Sequence, residues 1–183
     1  MSDQRNEYFP IRTGVDVRIS HMAYFSRPEL AEFGDHCAVD PFVIVTAQLT
    51  AESYVHIASH CSIIGGSDAC LVLCNFSGMA AGCRIICGSD DFNGSGLIGP
   101  MIPQQYRPKS VYTVVVLEQY AYLATGVIVF PGVTIGEGSV VGAGSVVTHN
   151  LPPWGVFRGS PARFVKERPR DTVRAYAKEL MSC

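Results

Sequence analysis

The chain contains 183 residues, of which 48% are hydrophobic and only 16% are charged, and its formal net charge is −2. This apolar share excludes a disordered chain, and the near-neutral balance provides no basic surface for nucleic acid. No apolar run approaches the roughly 18 residues that cross a bilayer, and the charged N-terminal segment lacks the apolar core of a secretory signal. We therefore expect a cytoplasmic protein that inserts into no membrane and binds no nucleic acid.

Apolar residues recur every six positions along most of the chain, after an irregular segment at 15–32. In the first stretch the large apolar place of each hexad holds Phe33, Val39, Val45, Ala51, Ile57 and Ile63. Apolar residues also fill the fifth places, namely Cys37, Val43, Leu49, Val55 and Cys61. Neither the two-residue period of a strand nor the 3.6-residue period of a helix explains this pattern.

The hexads slip once and are interrupted once. The frame slips within 64–72 and resumes at Leu73, Met79 and Ile85, with Ser77, Cys83 and Ser89 in the fifth places. Residues 91–110 then form an insertion that is too long for a turn. The final stretch carries aliphatic residues at Val111, Leu117, Leu123, Val129, Ile135, Val141 and Val147.

Hexapeptide repeats are typical of a parallel β-helix, in which three hexads form one triangular coil. We predict an all-β domain over residues 1–168 with roughly 4.7 coils of complete hexads, the insertion at 91–110 and an irregular first coil at 15–32. The tail at 169–183 is predicted to form a short C-terminal α-helix, capped by Asp171 or Thr172. The seven cysteines include no Cys-x-x-Cys pair, and we expect buried, reduced thiols.

The segment at 131–168, PGVTIGEGSVVGAGSVVTHNLPPWGVFRGSPARFVKER, strongly resembles the C-terminal coils of hexapeptide-repeat acyltransferases. Its closing phrase, Gly159-Ser160-Pro161-Ala162-Arg163, is typical of that family, and the resemblance extends over about residues 30–168. The chain looks like the branch of galactoside and maltose O-acetyltransferases, and the stretch SDDFNG at 89–94 is similar to the polysaccharide O-acetyltransferases. The resemblance implies a left-handed coil, a homotrimer, and acetyl-CoA bound between adjacent subunits.

The resemblance also directs attention to the catalytic base. Galactoside-type enzymes carry a histidine at the start of the long loop, where this chain has Asp90 followed by Asp91. A solvated aspartate is a poor base for a sugar hydroxyl. We expect His56 to be the base, with Asp90 or Asp91 orienting it from the adjacent subunit or binding a sugar hydroxyl. A surface role for the histidine and a turn role for the aspartates are the alternatives.

Residues near the acceptor are expected on the same coil and in the insertion. Ser59 aligns with an asparagine that faces the sugar in galactoside-type enzymes, and His60 follows it. Tyr106 lies near the end of the insertion, which we expect to cover an acceptor on the neighbouring subunit. These three residues are the predicted substrate-binding set.

The family pattern for the coenzyme falls on the last coils. The predicted cofactor-binding residues are Tyr122, Thr125, Gly142, Ala143, Gly144, Thr148, His149, Arg163 and Lys166. Arg163, Lys166 and Arg168 are expected to meet the phosphates of acetyl-CoA, or alternatively to form a solvated basic end. His149 stands where the family commonly has lysine.

Metal binding is considered because some trimeric β-helix proteins hold zinc and act as carbonic anhydrases. His21, His56 and His60 are the candidates, but a separation of four residues does not match a coil that repeats at six and eighteen, and we predict no metal site. The cysteines at inward places lack an activating neighbour, so direct transfer is expected rather than an acyl-enzyme intermediate.

The sequence therefore predicts an acetyl-CoA-dependent O-acetyltransferase that acts on a sugar in surface polysaccharide, such as lipopolysaccharide, or in glycoside metabolism. The alternative is an N-acetyltransferase for a nucleotide-linked amino sugar, whose amine needs little help from a base. A zinc carbonic anhydrase or a non-catalytic trimeric scaffold is a third possibility.

Overall fold

The computed structural model describes residues 11–182. Residues 1–10, with which the predicted domain begins, and Cys183, with which the predicted tail ends, lie outside the described residues. Short strands and regular turns follow each other until residue 167, and one α-helix follows them.

The strands before the insertion are β1 (Arg12–Thr13), β2 (Arg18–Ile19), β3 (Tyr24–Phe25), β4 (Ala31–Phe33), β5 (Ala38–Val39), β6 (Ile44–Val45), β7 (Gln48–Ala51), β8 (His56–Ile57), β9 (Ser62–Ile64), β10 (Cys70–Leu73), β11 (Gly78–Met79) and β12 (Arg84–Ile86). The strands β13 (Gly88–Asp90) and β14 (Ser110–Tyr112) enclose the insertion. The later strands are β15 (Val114–Leu117), β16 (Tyr122–Leu123), β17 (Ile128–Val129), β18 (Thr134–Ile135), β19 (Val140–Val141), β20 (Val146–Val147), β21 (Gly155–Arg158) and β22 (Arg163–Glu167). Short 3-10 turns lie at Pro28–Leu30 and Gln104–Tyr106, and the helix α1 is Asp171–Leu180.

Apart from the hairpin of β13 and β14 and the last two strands, every third strand belongs to the same face of a triangular prism, as a parallel β-helix requires. The first face has the order β1-β4-β7-β10-β15-β18, the second β2-β5-β8-β11-β16-β19-β21-β22, and the third β20-β17-β12-β9-β6-β3. Within these three faces the strand pairs are parallel except β21 with β22, which is antiparallel. The described residues form six coils and the start of a seventh, so the irregular first coil expected at 15–32 is present and begins at Arg12.

The inward residues of the hexads form one continuous core along the prism axis. Large side chains such as Leu49, Ile57, Leu73 and Leu123 are fully buried, and Cys37, Cys61 and Cys83 are buried fillers as predicted. The frame after the insertion is predicted to resume at Val111, and this is wrong. Val111 pairs with Ser89 in the antiparallel hairpin and is 45% exposed.

The insertion and the tail leave the regular coil in different ways. β13 and β14 form a hairpin from which the insertion at 91–110 projects, at the corner between the third and first faces. α1 begins at Asp171, but neither predicted capping residue caps it, because the N-cap position is Arg170 and no side-chain cap bond forms. Within residues 11–182, no helical segment combines the length and apolar character that a bilayer crossing demands.

Aromatic residues form a stacked column at the corner between the first and second faces. This aromatic column consists of His36, Tyr54, Phe76, Tyr120 and Trp154, all with φ between 56° and 63°. Ring centroids of neighbouring members lie 4.9, 4.8, 5.6 and 5.9 Å apart in that order. A left-handed backbone conformation destabilises a residue that has a side chain by on the order of 1 kcal/mol. Each aromatic pair stabilises the fold by a similar amount.

The upper end of the column is closed by the C-terminal segment. The guanidinium of Arg174 lies 5.0 Å from the Trp154 ring centroid, and its Nη2 atom lies 2.9 Å from Glu137 Oε1. Gly138 has φ +67°, and a Cβ atom there would lie 2.5 Å from Trp154 ring atoms. This position therefore requires glycine for both backbone conformation and space.

We predict that Gly138→Ala destabilises the fold by roughly 2–5 kcal/mol, because left-handed strain and a clash with Trp154 add together. Gly126→Ala is the matched control, since its φ is +71° and nothing lies within 4 Å of a Cβ there. It should cost only the strain, about 1–2 kcal/mol. Urea denaturation of the two variants measures the difference, and equal losses would contradict the clash.

Candidate functional site

One outward column of the second face brings predicted catalytic and coenzyme residues together. In-register pairing joins Ala38 to His56, His56 to Gly78, Gly78 to Tyr122 and Tyr122 to Val140. Adjacent strands of a sheet lie about 4.8 Å apart. His56 and Tyr122 therefore stand two strand spacings apart, with only a glycine between them.

His56 is paired with an aspartate that the sequence analysis does not identify. Its Nε2 atom lies 3.1 Å from Oδ2 of Asp40, and the two side chains are 45% and 42% exposed. The backbone N–H of Asp40 donates to the carbonyl oxygen of Ile57 at 3.0 Å. Because the sheet ladder fixes the backbone of both partners, this pair is held by the fold.

Tyr122 leans over Gly78. A Cβ atom at Gly78 would lie 2.7 Å from the backbone oxygen of His56 and 3.1 Å from Cε2 of Tyr122. Burial raises the pKa of Tyr122, and the nearby Cys83, Cys61 and Asp40 raise it further. The phenol is therefore protonated at neutral pH and available as a hydrogen-bond donor.

The corner between the second and third faces carries another part of the predicted set. The backbone N–H of Gly82 donates to the Ser59 carbonyl, and that of Gly144 donates to the Thr125 carbonyl, at 3.0 and 2.9 Å. Ser59, Thr125, Ala143 and Gly144 therefore share this corner, and Gly142 precedes it directly. A Cβ atom at Gly144 would have no neighbour within 4 Å, so the upper corner is an open, side-chain-poor edge.

His60 lies at the lower part of the same corner and is exposed. Its ring centroid is 4.9 Å from that of Phe42. Arg84 Nη1 donates to the His60 carbonyl at 2.8 Å, which places the Arg84 guanidinium beside this corner. Ser59 and His60 follow His56 by three and four residues and lie beside the His56 column.

The upper end of the second face carries the basic residues. Lys166 lies opposite Val156, and Arg163 opposite Arg158, in the antiparallel pair of β21 and β22. Both are exposed. Arg168 differs, because its Nη1 donates to the carbonyl oxygens of Tyr120 and Gly138 at 3.0 and 2.8 Å, and burial lowers its pKa. Within one chain, Arg168 therefore braces the Tyr120 and Gly138 corners, and its phosphate contact stays a prediction.

Thr148 and His149 follow β20, at the far end of the third face. The Thr148 Oγ1 and His149 Nδ1 atoms lie 3.3 Å apart, and both residues are exposed. They lie in the sixth coil with Gly142, Ala143 and Gly144, but on another corner.

The two aspartates at the start of the insertion are engaged within it. Asp90 Oδ1 lies 3.7 Å from Arg107 Nη2 and accepts a hydrogen bond from Ser110 Oγ at 3.4 Å. Asp91 accepts hydrogen bonds from the Asn93 backbone N–H at 2.9 Å and from Ser95 Oγ at 2.9 Å, and the Asn93 bond lowers its pKa. No contact among the described residues joins either aspartate to His56.

Tyr106 is 56% exposed in the 3-10 turn of the insertion. Its carbonyl accepts a hydrogen bond from the Leu97 N–H at 2.8 Å, which holds the two sides of the insertion together. Within one chain, Tyr106 lies in the insertion that begins at Asp90 and Asp91, and it does not lie beside the His56 column.

The Cys61 thiol behind the column is a poor nucleophile, because the hydrogen bond with Cys83 and burial raise its pKa. The same hydrogen bond lowers the pKa of Cys83, whose thiol is buried in the core. Burial raises the pKa of Cys87, at another corner, to about 12. Within residues 11–182, no three histidine, cysteine, aspartate or glutamate side chains form a group that could hold a metal ion. Of the predicted zinc candidates, His56 contacts Asp40 and His60 contacts Phe42.

Sequence reasoning missed Asp40 and Gly78 in this region. The coil repeats at about eighteen residues. A residue sixteen positions before His56 therefore lies one coil below it and two residues further along the chain direction. That spacing places Asp40 near His56, but it does not give the direction of the carboxylate. Gly78 has no such signal, because its importance comes from the size of Tyr122 on the next coil.

A scan against protein-family models and a search of curated proteins found no match. Solved structures do match. A serine-to-threonine mutant of AntD, an N-acyltransferase from Bacillus cereus in complex with dTDP and coenzyme A, is 32% identical, covering 96% of this chain and 92% of that chain with a TM-score of 0.87. A serine-to-cysteine mutant of AntD, in complex with dTDP-4-amino-4,6-dideoxyglucose and coenzyme A, has the same identity and coverage and a TM-score of 0.86.

A maltose O-acetyltransferase from Clostridium difficile 630 is more distant. It is 20% identical, covers 90% of this chain and 78% of that chain, and has a TM-score of 0.56, a likeness that shows the fold alone. The hexads, the closing phrase at 159–163 and the identity to AntD over nearly the whole of both chains agree: this protein belongs to the hexapeptide-repeat acyltransferases, enzymes with a left-handed β-helix.

Proposed function

We propose that this protein transfers an acyl group from acyl-coenzyme A to the amino group of a nucleotide-linked amino sugar. The observation that carries the proposal is the 32% identity over 96% of the chain to AntD in complex with coenzyme A and dTDP-4-amino-4,6-dideoxyglucose. This acceptor is the alternative of the sequence analysis, and we now place it first. The expected place in surface polysaccharide metabolism stays within the proposal, because such polymers are built from nucleotide-linked sugars.

A sugar hydroxyl is the second candidate acceptor. It is favoured by the pair of His56 and Asp40, since a hydroxyl needs a general base more than an amine does. An amino sugar also gains from a base, because its ammonium form must lose a proton before the nitrogen can attack. The pair of His56 and Asp40 is therefore compatible with both acceptors, and the identity to AntD favours the amine. These relatives support acyl transfer over the carbonic anhydrase and scaffold alternatives.

The coenzyme is proposed to lie along the second face and its corner with the third face. Tyr122 is three strand spacings below Lys166, a rise of about 14 Å, and this is a distance that the pantetheine arm can cover. Gly142, Ala143 and Gly144 would let the arm approach the backbone. Lys166 and Arg163 would meet the phosphates, and acetyl-CoA is the proposed donor, with larger acyl groups tested beside it.

The proposed reaction proceeds in a ternary complex. The acceptor nitrogen attacks the thioester carbon while His56 takes a proton from the nitrogen, the new C–N bond forms and the C–S bond breaks. The protonated His56 gives this proton to the leaving sulfur, and the coenzyme leaves as a thiol. The raised pKa of Tyr122 keeps its hydroxyl protonated, so it can donate a hydrogen bond to the acyl-coenzyme.

A homotrimer is proposed because the third face exposes apolar side chains. Tyr24, Ile44, Ile64 and Phe130 point outward from its strands or from the residue that follows them, and each is more than 40% exposed. Burial of such surface between copies would remove it from water, at about 25 cal/mol per Å². The acceptor site would then lie between subunits, where the insertion of one copy can reach the second face of another.

We predict that the purified protein releases coenzyme A thiol from acetyl-CoA when supplied with a dTDP-linked 4-amino sugar. The assay should include 3-hydroxybutyryl-CoA as a second donor, and maltose, a galactoside and the 4-hydroxy form of the same nucleotide sugar as acceptors. Mass spectrometry of the product separates amide from ester. Turnover only with hydroxyl acceptors would replace the N-acyl proposal by the second candidate, and no turnover with any pair would refute the proposed function.

Replacement of the proposed base should strongly reduce turnover. We expect His56→Ala to lower kcat by about 10²-fold or more without a comparable change in thermal stability. His36→Ala is the matched control, because His36 also lies beside an aspartate, with Nδ1 3.2 Å from Asp16 Oδ2 and a side chain that is 42% exposed. It should retain kcat. Wild-type kcat in His56→Ala would remove this histidine from the chemistry.

The proposed trimer predicts the mass of the protein in solution. Light scattering after size exclusion should give three times the 19.8 kDa of one chain. Ile44→Glu, on the third face, should reduce this mass and the activity together, whereas Thr50→Glu, at an exposed place on the first face, should change neither. A wild-type mass of one chain, or an intact trimer in Ile44→Glu, would count against the proposed interface.

A further inference from the structure

The geometry of the pair of His56 and Asp40 also determines which ring nitrogen of His56 carries the hydrogen. Asp40 follows β5 directly, and the register of β5 with β8 sets Ala38 opposite His56 and Val39 opposite Ile57. The Asp40 carboxylate then returns toward the ring, with its Oδ2 atom 3.1 Å from Nε2. Since strands of the sheet hold both residues, the contact is more accurately placed than a pair on flexible loops.

The contact uses one ring nitrogen and leaves the other free. A carboxylate only accepts hydrogen bonds, so Nε2 carries the hydrogen in this contact, and in a neutral imidazole Nδ1 is then the atom with the lone pair. Carboxylates that hold a catalytic histidine in one tautomer act in the same way on unrelated folds, and they stabilise the imidazolium that forms during the reaction.

We propose that Asp40 is the positioning residue of the acyl transfer: it fixes His56 as the Nε2–H tautomer and directs Nδ1 to the acceptor. This inference rests on the proposed function, in which His56 takes the proton. It replaces the expectation that Asp90 or Asp91 orients His56, because those carboxylates already hold Arg107, Ser110, Asn93 and Ser95 in the insertion.

Few other charged groups surround the pair. On the second face, β11 contributes only Gly78 beside His56, and Tyr122 on β16 is protonated at neutral pH because its pKa is raised. Arg18 on β2 is separated from His56 by Ala38 and a second strand spacing. The buried Cys61 and Cys83 lie behind the face. Among these groups, Asp40 is the carboxylate in contact with the ring.

The chain provides an internal control with the opposite ring nitrogen. In the pair of His36 and Asp16 the contact is made by Nδ1, at 3.2 Å. Nitrogen chemical shifts of the imidazoles, recorded at a pH where all of them are neutral, should therefore show the Nε2–H tautomer for His56 and the Nδ1–H tautomer for His36. In Asp40→Ala the His56 signals should move toward a mixture of tautomers, while those of His36 stay unchanged. Asp16→Ala should do the reverse.

Kinetics separate positioning from a merely structural role. Asp40→Ala should lower kcat roughly 10- to 100-fold, as expected for the loss of an orienting partner, with little change in KM for the acyl donor. Asp40→Asn can turn its amide N–H toward Nε2 and so favour the Nδ1–H tautomer, and it should lose at least as much kcat as Asp40→Ala. It also serves as the second variant if Asp40→Ala folds poorly. Asp16→Ala should keep wild-type kcat.

The outcomes distinguish this inference from the proposed function. If His56→Ala loses turnover while Asp40→Ala keeps kcat, or if the His56 nitrogen shifts are the same with and without Asp40, the positioning role is overturned and the base remains. If His56→Ala keeps full activity, the base assignment fails and the role of Asp40 fails with it.

Discussion

In-register pairing between successive coils is the constraint on which this protein depends. Each strand has only a few residues, yet each forms hydrogen bonds with the coil below and the coil above, so a residue is fixed relative to the one about eighteen positions away. A shift of one residue would turn the inward aliphatics of a strand to solvent. The same constraint places His56, Gly78 and Tyr122 in one column and sets the Asp40 carboxylate beside His56.

Departures from the repeat are tolerated only at corners. The wider corner between β9 and β10 and the insertion after β12 add residues outside the prism, and the pairing of Arg84 with Ile128 across the insertion continues as if it were absent. Elsewhere the corners require a left-handed backbone conformation. Glycine adopts it at Gly126 and Gly144, and in the aromatic column the stacking of the rings offsets its strain. The protein therefore has one corner that is filled with rings and another whose upper part, at Gly126 and Gly144, is open, and the proposed coenzyme lies at this open part.

The sequence predicts the inward half of this structure well and the outward half poorly. Inward places must hold apolar residues on every coil, so the hexads identify the core from Phe33 to Val147 with few errors. Val111 fails because a hairpin strand can carry an aliphatic residue at the right spacing by chance. The aromatic column and Asp40 were missed because outward residues meet across coils, and their contacts depend on side-chain direction, which no periodicity encodes. The nomination of His56 came from resemblance and position, whereas its partner needed coordinates.

The position of the insertion argues that the proposed site needs more than one copy of the chain. The hairpin of β13 and β14 leaves at the corner between the third and first faces, whereas His56 and Tyr122 point outward from the second face, so a prism separates them within one subunit. Arg107 and Ser110 hold Asp90, and Asn93 and Ser95 hold Asp91, which keeps the start of the insertion in one shape. An insertion that is ordered in this way and exposes Phe92, Leu97 and Met101 has apolar surface to bury against a neighbour. In the proposed trimer the carboxylate of Asp40 prepares the base within one subunit, and the insertion of the next subunit covers the acceptor.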